Sequence, residues 1–94
     1  MLSPNSAATT VPVLAHKSVK TCHILLPGVA KPVGAIAYNN QFYSYVRFYP
    51  TLESAQQGAA RMANRGNRVV LTFVPKGLVL WVFEPDAQPA RAHQ

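Results

Sequence analysis

Tyr43, Tyr45, Arg47 and Tyr49 stand at two-residue spacing inside the run Gln41–Tyr49 and carry most of the chemistry this sequence offers. Alternate side chains of an extended strand share a face. The pattern therefore predicts these rings and the guanidinium on one side, with Phe42, Ser44, Val46 and Phe48 on the other. Flat rings beside a cation can stack splayed bases while the guanidinium meets phosphate. The same stripe also suits plain cross-strand packing, because tyrosine fits a half-buried pleated surface. Arg61 and Arg65, one helical turn apart, and Arg68 just beyond extend the cationic reading. Cations near a helix C-terminus also offset its partial negative charge, which gives Arg65 and Arg68 a purely structural use.

Other reactive groups are few and scattered. Cys22 and His23 are chain neighbours, so on a strand they point to opposite faces and cannot act as nucleophile and base for one another. A single cysteine excludes a disulfide framework and a cysteine-based metal cluster, and suits a small buried apolar role. His16 and His93 fall near the two ends of the chain, far in sequence from His23. Of the three carboxylates, Glu84 and Asp86 end a strand-like run without a visible third partner for acid–base work. The expectation is a non-enzyme with no cofactor and no metal.

The charge balance points to partners of opposite sign. Nine Lys and Arg against three Asp and Glu give a net charge of +6, and no acid precedes Glu53. Such a field attracts any polyanion, lipid headgroups included. With 94 residues and 49% hydrophobic content the chain is one small domain rather than a low-hydrophobicity disordered polymer. No apolar run approaches the ~18 residues of a membrane span.

The positioning elements follow from local signals. Residues 1–20, rich in Ser, Thr, Ala and Pro, read as a disordered arm, either a targeting segment or a misassigned start. Residues 21–85 form one domain, and residues 86–94, with Pro89, a disordered tail. Strands are predicted at 21–26, 34–38, 41–49, 68–74 and 78–84. Pro27-Gly28 stops the first, and Asn39-Asn40 makes a tight hairpin turn. Thr51 caps a helix whose stripe is Leu52, Ala55, Ala59, Met62 and Ala63, and Gly66 ends it in a left-handed conformation. Pro75-Lys76-Gly77 joins the last hairpin, with Gly77 left-handed, Val74 facing Leu78 and Arg68 facing Glu84. The fold class is α+β: a small antiparallel sheet of about five strands, β-β-β-α-β-β, with one helix.

Area then sets a problem. Five strands at ~4.8 Å spacing make a sheet roughly 24 Å wide, whereas one helix covers about 10 Å. The uncovered apolar face requires a sheet curled towards a barrel, two chains packed face to face, or a different partner.

The words Tyr43-Ser44-Tyr45-Val46-Arg47-Phe48, followed by Ala55, Ala59, Met62 and Asn64, resemble the third strand and second helix of the RNA-recognition motif. The resemblance covers roughly residues 43–64, and Gln41-Phe42 replaces the family's basic residue and glycine. It implies that Tyr43 and Tyr45 stack bases. The segment GLVLWVFEPD, residues 77–86, is similar in style to small uncharacterised cyanobacterial proteins, which implies a cytoplasmic setting. The expected function is a small basic binding module for single-stranded RNA or another polyanion, contacted through Tyr43, Tyr45, Arg47, Tyr49, Arg61, Arg65 and Arg68. The alternative is a protein–protein adaptor or small subunit that homodimerises or docks through the same sheet face.

Overall fold

A computed structural model of the chain describes residues 11–90. The first half of the expected arm, and His93 with the end of the expected tail, lie outside the described residues. The elements in order are β1 (Val13–Leu14), a 3-10 turn (His16–Ser18), β2 (Lys20–Leu25), β3 (Val33–Tyr38), β4 (Gln41–Tyr49), α1 (Leu52–Asn64), β5 (Val69–Val74), β6 (Gly77–Phe83) and β7 (Gln88–Pro89). The strands form one open sheet in the order β1-β5-β6-β4-β3-β2-β7, mixed because β1 runs parallel to β5.

The described residues thus form an α+β fold with one α-helix, and the five expected strands are β2 to β6. Two further strands extend the sheet at its edges. Each has two residues, too few to show alternation in a sequence, and main-chain bonds hold them. Leu71 donates its N–H to the Pro12 carbonyl at 2.9 Å, and Ala90 donates to the His23 carbonyl at 3.0 Å. The ordered sheet therefore begins before residue 21 and continues past residue 85. Pro89 fits an edge, where no outward N–H is required, and edges this short offer little template for unwanted pairing.

Local chemistry explains the turns and caps. Asn39 and Asn40 both have positive φ, 56° and 63°, as a two-residue turn matching the strand twist requires. The Thr51 side chain accepts a hydrogen bond from the Ser54 N–H at 3.2 Å, capping α1. At the other end Gly66 has φ 95° and donates to the Ala63 carbonyl, while Asn67 donates to that of Met62. This is the left-handed stop that the glycine predicts.

The final hairpin differs from expectation. Pro75 and Lys76 alone form the turn, and neither Lys76 nor Gly77 has positive φ. Val74 pairs with Gly77 and Phe73 with Leu78, a one-residue slip that exchanges the faces of β6. Leu78 and Leu80 then join Val69 and Leu71 beneath Ala55 and Ala59 of α1. Arg68 consequently lies opposite Phe83, whose N–H bonds to its carbonyl, and not opposite Glu84. Glu84 instead accepts the Ser44 hydroxyl at 2.6 Å.

The middle of the face away from α1 is buried by the chain itself. Ile36, Tyr43, Val70, Val79 and Trp81 form a second cluster, against which Leu14 and Val19 pack. Within it the Trp81 indole N–H donates to the Thr72 hydroxyl at 2.9 Å. Geometry explains the cover. In a flat sheet, the five interstrand steps from β1 to β2 would span ~24 Å at ~4.8 Å each. The six residue steps from Leu14 to Lys20 reach at most ~20–22 Å, less with a 3-10 turn among them. The sheet must bend towards the crossing segment, so it is curved without being closed.

Candidate binding groove

A β-bulge decides how the Tyr/Arg run is displayed. Tyr43 and Tyr45 pair with Phe83 and Trp81, but the register shifts between Tyr45 and Arg47, after which Arg47, Phe48 and Tyr49 pair with Leu80, Val79 and Leu78. Val46 is the extra residue. Beyond a bulge the alternation restarts in the opposite phase, so the expected single stripe is divided. Tyr43 and Tyr45 share the face away from α1 with Phe48, while Arg47 and Tyr49 are turned to the helix side.

The divided residues have different surroundings. Tyr43 is only 3% exposed, with its ring tilted against Phe83 at 5.7 Å between centroids. As a buried side chain it cannot present a stacking surface. Tyr45 is 53% exposed and stands edge-on to Trp81 at 5.9 Å and 88°. Phe48, which alternation assigns away from the tyrosines, is 40% exposed on the same face as Tyr45. Tyr49 belongs to the helix-side core, packed by its hydroxyl end over Gly58. A glycine in mid-helix is the one sequence signal for this contact, since a Cβ there would meet the ring.

The arginines form two groups, not one patch. Arg47 lies 5.6 Å from the Tyr49 ring centroid and, with Arg61, lines a groove between the end of β4 and one flank of α1. Arg68 sits at the opposite end of β4, with its guanidinium 5.0 Å from the Phe83 centroid and 3.4 Å from the Gln41 Oε1 that accepts from it. Gln41 and Arg47 are six residues apart on one strand, about 20 Å. Arg65 follows the last turn of α1, at the C-cap and away from the groove lining.

The groove has a volume of about 440 Å³, and Phe48, Tyr49, Thr51, Ser54, Gln57 and Gly58 are also among its lining residues. No carboxylate is among these residues, so the two guanidiniums face it without an acidic partner. The Thr51 and Ser54 hydroxyls already bond to each other at 2.8 Å. Gln57, the Tyr49 hydroxyl and the two arginines line it as donors to a ligand.

Main-chain groups border the same groove. β3 pairs with β4 from Tyr38↔Gln41 only as far as Ala35↔Ser44. Among the described residues no strand pairs with Tyr45–Tyr49 on the side away from β6. This half of β4 is an edge inside an otherwise continuous sheet.

Elsewhere the described residues contain no group of three or more His, Cys, Asp or Glu able to hold a metal ion. Burial pushes the Cys22 thiol up, which leaves it less reactive than a free thiol. No helix among the described residues is long and apolar enough to cross a membrane. Comparison of the chain with models of protein families, with characterised proteins and with solved structures finds no match.

Proposed function

We propose that the chain is a small non-catalytic module that binds an extended anionic chain along the groove between β4 and α1. The observation that carries this reading is that Arg47 from a strand and Arg61 from a helix meet at one groove lined by no acid. The net charge of +6 adds long-range attraction. Tyr45 and Phe48, exposed on the opposite face of the same strand, supply apolar and aromatic surface across the β4 edge from the cations. Of the residues expected to contact RNA, the groove keeps Arg47 and Arg61, with Tyr49 as its wall and Tyr45 across the β4 edge from it. Tyr43, Arg65 and Arg68 stand outside it. Homodimerisation through the broad sheet face has less support, because Ile36, Tyr43, Val70, Val79 and Trp81 are buried within the chain.

The test is fluorescence anisotropy with two labelled probes, oligouridine and oligoglutamate, across a salt series. Two phosphate contacts on a single strand give a log–log salt slope of about −1.4. Arg47→Gln and Arg61→Gln should each weaken binding of whichever probe binds. Retention of full affinity in the double variant, or failure of both probes to bind at low salt, overturns the reading.

A further inference from the structure

We infer that the anionic chain is an extended peptide that adds to the sheet as a strand beside Tyr45–Tyr49, with acidic and apolar residues alternating along it. The inference rests on the reading of the groove as an anion-binding site and names the occupant.

The main chain of β4 distinguishes between the possible occupants. The unpaired edge presents both N–H donors and C=O acceptors, on either side of the Val46 bulge, and an extended peptide carries both complements. A single-stranded RNA offers acceptor oxygens at its phosphates but donors only at 2′-hydroxyls and base edges, which do not repeat with the N–H and C=O spacing of a strand edge. The lengths agree as well. Tyr45 to Tyr49 spans about 13 Å of strand. The flank of α1 from Thr51 to Arg61 spans about 15 Å. Both fit four or five residues of an added strand.

Side chains define the pattern required of the partner. Alternate residues of the added strand would point to the α1 side, where Arg47 and Arg61 favour carboxylates. The intervening residues would lie on the side of Tyr45 and Phe48 and favour apolar groups. A second copy of this chain is a poor occupant. Antiparallel pairing of two such edges about their centre would set one Arg47 against the other, and like charges directly opposite are destabilising.

The experiment measures anisotropy of a labelled peptide with three Glu–Val repeats on the intact chain. Two N-methylated versions, one for each phase of alternate amides, remove the hydrogen bonds of one peptide edge at a time. One phase should lose at least tenfold in affinity and the other little, with amide exchange at Tyr45–Tyr49 slowed by the unmodified peptide. Equal affinity of both phases and the parent overturns strand addition but leaves the anionic groove standing. So does tighter binding of oligouridine at matched charge. If neither peptide nor oligouridine binds at low salt, the groove reading fails and the inference falls with it.

Discussion

Substitution of Gly58 by alanine tests the wall of the groove, because two effects of opposite sign meet there. Alanine in place of glycine within a helix gains about 1 kcal/mol. Against this, a Cβ at residue 58 would lie 2.5 Å from Cζ of Tyr49. Carbon atoms rest at about 3.5–4.0 Å, so the ring must retreat by roughly an ångström. Tyr49 is held between α1 and Leu78, so the cost falls in the upper part of the ~1–3 kcal/mol range for overpacking. Gly58→Ala should therefore destabilise the protein by about 1–2 kcal/mol. In a Tyr49→Leu background the obstruction is gone, and the same change should stabilise by about 1 kcal/mol. The coupling between the two sites is then about 2–3 kcal/mol, within the range for residues in contact. Urea unfolding followed by fluorescence of the single tryptophan, Trp81, reads all four variants. Each kcal/mol also moves the thermal midpoint by about 4–8 °C for a domain of this size. The reasoning is refuted if Gly58→Ala stabilises the protein with Tyr49 present, or if its effect is the same in both backgrounds.

Three further outcomes follow from other contacts. Thr72→Val should cost about 1–3 kcal/mol in urea unfolding, because it leaves the buried Trp81 indole N–H without its acceptor; a neutral result would mean that another group satisfies it. Gly66→Ala should cost about 1–2 kcal/mol by thermal melting, since residue 66 has φ 95°, and an unchanged midpoint would contradict that conformation. The raised Cys22 pKa lowers its thiolate fraction near pH 8, so iodoacetamide should label the folded protein more slowly than the urea-unfolded one; equal rates count against burial of the thiol.

Much of the framework was legible because it depends on neighbours in the chain. Thr51 and Gly66 bound the helix through caps that involve only residues within a few positions. Asn39-Asn40 determines its turn by tolerance of positive φ. The five longer strands follow from β-branched and aromatic runs between turn residues. The candidate site was legible only in its residue types. Strict alternation placed Tyr43, Tyr45, Arg47 and Tyr49 together, and nothing local marks Val46 as a bulge. Proximity in sequence groups Arg61 with Arg65 and Arg68, whereas across the fold it sits with Arg47.

By itself, then, the sequence determines an α+β chain with one capped helix, a tight turn at Asn39-Asn40 and a strong positive charge, since these arise from composition and short-range geometry. Tertiary structure decides which aromatic rings are exposed, because burial of Tyr43 depends on curvature of the whole sheet and on the segment that crosses it. It also decides which cations share a groove, because one residue inserted at Val46 turns Arg47 towards α1. Finally, it decides that half of β4 is an edge, because β3 is paired with it only as far as Ser44. Each of these depends on distances between segments remote in the chain, which no pattern within a single segment can encode.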